Sequence, residues 1–147
     1  MSNHPMSKII TDFNIYSYYA GVNMAFAEVV GLGCKKLALS SPYSPEDAAK
    51  MLPATEYAAK EYNCTLLVES DLLVSKLFPR DIAKGKTVIL IAHDQSVLDE
   101  YLLIKKLKQY SDEKGNPEDL EFEIAQRFGA LLSYDEATIN RLIAKNG

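Results

Sequence analysis

Cysteine is scarce in this chain, and so are long apolar runs. Two cysteines, Cys34 and Cys64, are too few for a disulfide framework and favour a reducing compartment. The longest uncharged stretch, residues 13–27, includes two asparagines and a serine, and a bilayer span needs about 20 apolar residues. The first six residues lack the cationic region and apolar run of a secretion signal. We therefore expect a cytoplasmic protein without a membrane segment.

Positive charge is also in deficit. The chain has 16 Lys and Arg against 20 Asp and Glu, so its formal net charge is −4. Binding to a phosphate backbone requires a concentrated positive field, so we expect no nucleic-acid partner. The apolar fraction of 48% and the charged fraction of 24% are those of a soluble globular protein. The length of 147 residues fits one domain over residues 1–147.

Several motifs that would identify a cofactor are missing. Gly31 and Gly33 do not form a dinucleotide fingerprint, because they lie between a predicted helix and a strand and lack the third glycine. The sequence has no phosphate-binding P-loop and no Gly-x-Ser-x-Gly elbow. Neither cysteine is followed by arginine at the spacing of a phosphatase loop. The sequence therefore identifies neither a cofactor nor a family.

Three short apolar segments predict buried strands, at residues 36–40, 65–69 and 87–92. Each run switches abruptly to polar residues, as strands covered on both faces of a parallel sheet do. A weaker fourth strand is predicted at residues 8–12. The intervals between the three segments are long enough for crossover helices, so we expect right-handed crossovers and a mostly parallel sheet.

Helical periodicity fills the remaining segments. The first helix ends near Gly31, and the second begins at Ser44 with a kink or restart near Pro53. A short helix capped by Asp71 and a long one after Ser96 follow, and two amphipathic helices form the end of the chain. The expected fold class is three-layer α/β, with about four mostly parallel strands and crossover helices. Residues 1–110 would form the βα core and residues 111–147 a docked helical hairpin.

The carboxyl ends of parallel strands predict a ligand site, since ligands of open α/β sheets bind beyond that edge. Four polar groups would meet there, and helix N-termini at such an edge favour an anion. The expected ligand is a small polar or anionic metabolite. For Ser44, Asp71 and Ser96, a role as helix caps is the favoured alternative. The predicted ligand-binding residues are Ser40, Ser41, Ser70, Asp71, Gln95, Ser96 and Asp12, with Asn14 and Ser44 beside them.

His93 is the residue most suited to acid–base chemistry at this edge. Its imidazole can exchange a proton near neutral pH, and we assign catalytic roles to His93, Glu69 and Asp94. The alternative is a half-buried histidine bonded to a carbonyl or to Asp94. A carboxylate–imidazole metal site of Glu69, Asp71, His93 and Asp94 is less favoured, because no local ligand spacing supports it. Whether the protein is an enzyme stays open.

The two cysteines precede strands, on the edge opposite the predicted site. If the two strands are neighbours, the thiols would approach each other. The favoured interpretation is two buried, unreactive thiols.

The first helix predicts a homodimer. Glu28 is the only charge between Ser17 and Gly33, whereas a helix with one face in water normally carries charges there. Tyr19, Val22, Phe26 and Val29 would pack inward, and Ala20, Gly21, Met24 and Ala27 would face a second copy. Tyr16 and Tyr18 resemble interface anchors or the margin of a core. The alternative function is thus a non-catalytic assembly or regulatory module, and the alternative structure buries this helix under the C-terminal hairpin.

Overall fold

The computed structural model describes residues 4–147 of the chain. The first residues, part of the segment that shows no secretion signal, lie outside this range. After a 3-10 turn at Pro5–Lys8, the described residues form five α-helices and three strands. Their order is α1 (Ile15–Gly31), β1 (Leu37–Leu39), α2 (Pro45–Tyr62), β2 (Thr65–Glu69), β3 (Val88–Ala92), α3 (Gln95–Glu113), α4 (Glu118–Leu131) and α5 (Glu136–Asn146).

The sheet corrects the predicted fold class. Its three described strands have the order β1-β3-β2, and β3 is antiparallel to both neighbours. The prediction of about four mostly parallel strands is therefore wrong. β1 and β2 do run in the same direction around α2, but β3 lies between them. Residues 70–87, which link β2 to β3, contain no helix, so the chain returns antiparallel instead of crossing over.

Two further predicted elements are absent from the described residues. Residues 8–12, the predicted fourth strand, lie in the 3-10 turn and the turns after it, and Ile9 is 76% exposed. Ile9 and Ile10 are both exposed, whereas residues of a buried strand would pack against a neighbouring element. The short helix predicted from Asp71 is an irregular segment, in which Leu72, Leu73 and Leu77 are each buried in the core.

Helix α2 continues through Pro53 without the predicted restart. Proline removes one donor to the preceding turn, and Pro53 lies on the exposed side of the helix. The carbonyl group left without its donor, that of Ala49, belongs to an exposed residue as well. Solvent can reach that carbonyl group, which is why the helix tolerates Pro53.

Alternating strand residues divide the core between two faces of the sheet. Ala38, Ile89 and Ile91 pack against α1 and α2, and we call this the small-residue face. Leu37, Leu90 and their alternate neighbours pack against α3, α4 and α5, and we call this the large-residue face. β3 is buried at all five positions, which is why its sequence is apolar throughout.

The side of α1 that faces the core differs from the predicted one. Asn23, Ala27 and Val30 are buried, with Ala20 and Met24 packed beside them on the small-residue face. The inward placement of Ala20, Met24 and Ala27 corrects their expected outward position. Helix α2 is the main partner of α1, rather than the C-terminal hairpin. The exposed positions of α1 are Tyr16, Ser17, Gly21, Ala25, Glu28 and Val29.

Candidate functional site

The antiparallel sheet separates the residues that were predicted to share one edge. Glu69, at the end of β2, pairs with Val88, at the start of β3. Ser40 lies at that same edge, where its N–H donates to the carbonyl of Ile89. His93 follows the other end of β3, and its N–H donates to the carbonyl of Lys36. The predicted single rim holding Ser40, Glu69 and His93 is therefore wrong, because strand direction puts His93 at the opposite edge.

Glu69 is held in a network that joins β2 to α3. Its Oε2 accepts hydrogen bonds from the Tyr101 hydroxyl at 2.8 Å and from Lys105 Nζ at 2.9 Å. Its Oε1 accepts from the Asp71 N–H at 3.0 Å. The Tyr101 hydroxyl in turn accepts from the Leu73 N–H at 3.0 Å. Both oxygens of this carboxylate therefore accept hydrogen bonds from the protein itself.

The Tyr101 side chain is fully buried. Burial raises the pKa of Tyr101, because an ionised phenol would be poorly solvated there. The phenol therefore keeps its proton and serves as a donor to Glu69. This arrangement makes Glu69 a structural anchor for the segment after β2.

His93 is exposed, and its Nδ1 lies 2.9 Å from the carbonyl of Val30. Asp94 is the N-cap of α3 and accepts from the Val97 N–H at 3.3 Å. Its pKa is lowered chiefly by the hydrogen bond from the Ser96 hydroxyl. Gln95 donates to Asp99 at 3.0 Å. The carbonyl contact matches the alternative interpretation of a histidine bonded to a carbonyl, but His93 is exposed rather than half-buried.

The other predicted residues are spread over the surface and the core. Ser40 is buried, and its hydroxyl accepts from the Ile89 N–H at 2.8 Å and donates to the Ser41 carbonyl at 2.9 Å. Asp12 is exposed in the turn before α1, away from the sheet. Ser70 and Asp71 are exposed at the border of a groove. Residues 4–147 contain no group of three acidic, histidine or cysteine side chains placed to hold a metal ion.

That groove is one of the concavities of the described structure, with a volume of about 690 Å³, and a smaller pocket lies near the end of β1. It lies between residues 70–85 and the adjoining ends of α3 and α4. Its walls carry charges of both signs, and Lys108 there is already paired with Glu121 at 2.7 Å. Because charges of both signs lie side by side in this open groove, it does not favour a ligand of one particular charge.

The smaller pocket has a different character. It encloses about 390 Å³ near the end of β1, within the range typical of small-molecule sites, which is roughly 300–1,000 Å³. Its wall is almost entirely apolar and is built by β1, the segment after β2 and the turn between α4 and α5. The lining residues are Phe26, Lys35, Leu39, Ser40, Pro42, Leu72, Phe78, Ile82, Val88, Leu132 and Tyr134.

Lys35 brings the one cationic group into this wall. Its Nζ donates a hydrogen bond to the carbonyl of Leu132 and lies 5.1 Å from the centre of the Tyr134 ring. The neighbouring Lys36 N–H donates to the Ser133 hydroxyl at 3.0 Å, which holds the α4–α5 turn against the start of β1. Among residues 4–147, no carboxylate oxygen lies within 4.0 Å of the Lys35 Nζ.

Burial affects both titratable side chains of this pocket in the direction that favours their neutral forms. It lowers the pKa of Lys35 and raises the pKa of Tyr134. An ammonium group without a carboxylate partner in an apolar wall is costly, and such perturbed groups in concavities are common at functional sites. Sequence reasoning missed Lys35 because Lys35 and Lys36 both precede β1, and only the tertiary structure places one of them inside.

The cysteines also depart from the prediction. Cys34 is exposed, which corrects its expected burial, whereas Cys64 is partly buried. The Cys64 thiol donates to the carbonyl of Ala27 at 3.2 Å, and burial raises its pKa. Both thiols are free. Only Cys64 fits the expectation of an unreactive thiol.

No helix among the described residues is both long enough and apolar enough to cross a bilayer. Comparisons with models of protein families, with curated proteins and with solved structures found no match to this chain.

Proposed function

We propose that the protein binds a small molecule with an apolar body and an anionic head group in the smaller pocket. The apolar wall would hold the body of the ligand, and Lys35 would pair with the head. The observation that carries this proposal is the Lys35 ammonium group in an apolar wall without a carboxylate partner among the described residues. Lysine has three donors, so two remain after the bond to Leu132. The proposal assigns no step to His93, because it lies at the other edge of the sheet.

Three probes with the same eight-carbon body separate the roles of body and head. Octanoate, octanol and octylamine carry anionic, neutral and cationic heads, and each would be tested by thermal shift at pH 7. We expect octanoate to stabilise the protein most and octylamine least. A ligand at 100 times its dissociation constant adds about 2.7 kcal/mol to the free energy of unfolding, which is readily measured.

The variant Lys35→Met keeps the length of the side chain and removes its charge. We expect it to abolish the advantage of octanoate over octanol and to leave octanol binding intact. The preference for octanoate should also fade as the pH rises through the lowered pKa of Lys35, since the ammonium group is lost there. An unchanged ligand order in Lys35→Met, or no stabilisation by any of the three probes, would contradict the proposal.

A second candidate function is assembly, and the exposed side of α1 favours it. That side carries Ser17, Gly21, Ala25 and Val29, with Glu28 as its single charge. Small residues allow a second backbone to approach closely, and a twofold dimer is the commonest closed assembly. Ala25→Arg tests this side directly, whereas Ala20 packs in the core beside Tyr43 and Met51. Sedimentation of a dimer that becomes a folded monomer in Ala25→Arg would support assembly, and a monomeric parent protein would exclude it.

The proposed location is the cytoplasm. The support for it is the free state of both cysteines, one of them exposed, which suits a reducing compartment.

A further inference from the structure

Lys35 combines two features that favour the chemistry of a neutral amine. It lines an apolar pocket, and no described carboxylate lies within 4.0 Å of its Nζ. Lysines in such surroundings lose their proton more readily and become nucleophiles toward carbonyl compounds. The ammonium form of Lys35 accounts for anion binding, but the structure also favours the neutral form.

We propose that Lys35 forms an imine with a small apolar aldehyde bound in this pocket. The inference rests on the proposed binding function, because the same apolar wall would hold the body of the aldehyde. It extends that function from reversible pairing with an anion to a covalent adduct at a named atom.

The step needs no oxidant and no further reactant. The lone pair of the neutral Nζ attacks the carbonyl carbon, so a C–N bond forms and the C=O double bond becomes a single bond. A proton moves from nitrogen to oxygen and gives a carbinolamine. Loss of one water molecule, formed from that hydroxyl group and the second amine proton, leaves the imine. The net change is amine plus aldehyde to imine plus water.

The surroundings of Nζ favour this adduct. Tyr134 is the only other titratable side chain that lines the pocket within the described residues, and burial raises the pKa of its phenol, which therefore stays neutral. The described wall holds no carboxylate that would oppose loss of the ammonium proton, whereas the Tyr134 ring and the Leu132 carbonyl favour the ammonium form. A bound apolar body would displace water from the wall, and exclusion of water protects an imine from hydrolysis.

Lys36 provides an internal reference for the reactivity of Lys35. It is adjacent in the chain and its side chain is exposed, so an aldehyde in solution reaches it freely. A preference for Lys35 over Lys36 therefore reports the pocket rather than general access to lysine. Lys36→Arg and Lys35→Arg remove one amine each while they keep the positive charge.

The experiment treats the full-length protein at pH 7 with octanal and cyanoborohydride, which reduces an imine to a stable secondary amine. Peptide mapping by mass spectrometry then locates the octyl groups. We expect labelling of Lys35 to be about tenfold or more faster than labelling of Lys36, since binding raises the local concentration of the aldehyde. Octanol should slow labelling at Lys35 and leave Lys36 unaffected. The Lys36→Arg variant should keep the fast site, and Lys35→Arg should lose it.

The failures of the two proposals are distinguishable. If octanol stabilises the protein but Lys35 reacts no faster than Lys36, the imine inference is wrong and the binding function stands. If octanol neither stabilises the protein nor protects Lys35, both are wrong. Preferential labelling of Lys35 that octanol suppresses supports both.

Discussion

The two faces of the sheet are packed with side chains of different size and polarity. On the small-residue face, alanines and Gly31 let α1 and α2 lie close to each other, and the buried polar groups are neutral. Asn23 Nδ2 donates there to the Tyr43 hydroxyl at 3.1 Å and to Thr55 Oγ1 at 2.9 Å. On the large-residue face, leucines and aromatic rings fill the core, and the buried acids are paired with lysines.

This difference explains where a cavity is possible. Small side chains that pack helix against helix leave little free volume and tolerate little added volume. Large side chains contributed by helices and a long irregular segment meet less uniformly, and the apolar pocket lies at the margin of that region. The proposed ligand site is therefore on the more adaptable side of the molecule.

The largest expected effect is that of Gly31→Ala on the small-residue face. A Cβ at Gly31 would lie 2.2 Å from the carbonyl oxygen of Tyr62, so two helix backbones must separate. We expect a loss of about 3 kcal/mol in the free energy of unfolding, the upper part of the range for overpacking. Chemical denaturation measures this loss.

Two other glycines sharpen the comparison of the faces. A Cβ at Gly129 would meet the Ile139 side chain at 2.5 Å, and a side chain yields more easily than a backbone. Gly129→Ala should therefore cost less, about 1 kcal/mol. A Cβ at Gly21, on the exposed side of α1, meets nothing within 4 Å, so Gly21→Ala should stabilise by about 0.5–1 kcal/mol. Equal costs at Gly31 and Gly129 would contradict the proposed difference in rigidity.

On the large-residue face, the largest expected loss of stability is that of Tyr101→Phe. The change keeps the ring and removes the hydroxyl that joins the Leu73 N–H to Glu69. An unsatisfied buried group costs about 1–3 kcal/mol, so we expect a loss of about 2 kcal/mol by denaturation. A loss below 0.5 kcal/mol, the scale of an ordinary surface substitution, would show that the network contributes little.

The positions of the strands were predictable from the sequence, but their direction was not. The apolar runs at β2 and β3 identify both strands, because buried strands need apolar residues on both faces. The same runs suit a parallel or an antiparallel neighbour, and direction depends on the link between the strands. Asp71 suggested a capped helix in that link, but residues 70–87 form an irregular segment whose leucines are buried in the core. His93 was misplaced for this reason.

The candidate site was less predictable than the fold. Ser40 was predicted to bind a ligand and Glu69 to act in catalysis, and in the structure both side chains make hydrogen bonds within the protein. Lys35 precedes an ordinary strand beside an identical residue, and its burial depends on Leu132 and Tyr134, about 100 residues later in the chain. A contact so distant in sequence leaves no local pattern.

Glu121→Gln tests whether the paired acids make the large-residue face sensitive to pH. Burial alone would raise the pKa of Glu121, but hydrogen bonds from Lys108 and Ser111, each 2.7 Å long, outweigh it and lower the pKa. A carboxyl group whose pKa is lowered by folding stabilises the folded protein at pH values above its pKa in the unfolded chain, which is about 4.3. That contribution is lost as the pH falls through the folded value.

We expect Glu121→Gln to cost about 1 kcal/mol at pH 7 and nothing at a pH below the folded pKa of Glu121. Denaturation curves for both proteins over this range measure the difference. A cost that stays constant with pH would assign the effect to packing instead of charge.

The smallest expected effect is a gain in stability from Lys35→Met, and its sign follows from the pKa. Burial lowers the pKa of Lys35 in the folded protein, so the unfolded chain binds the proton more strongly between the lowered value and the ordinary one, about 10.4. The free energy of unfolding of the parent protein therefore rises with pH across that window. Below the window the buried ammonium group destabilises the fold, and the variant avoids this cost.

We expect a gain of about 0.5 kcal/mol in the free energy of unfolding of Lys35→Met at pH 7, within the usual range for a partly exposed position. This gain should fade as the pH rises through the folded pKa of Lys35. A loss of stability in Lys35→Met at pH 7 would show that the bond to the Leu132 carbonyl outweighs the cost of burying the charge. Lys36→Met changes the exposed neighbour and should alter stability little, both at pH 7 and above the folded pKa of Lys35. A gain seen only in Lys35→Met would therefore locate the effect in the pocket.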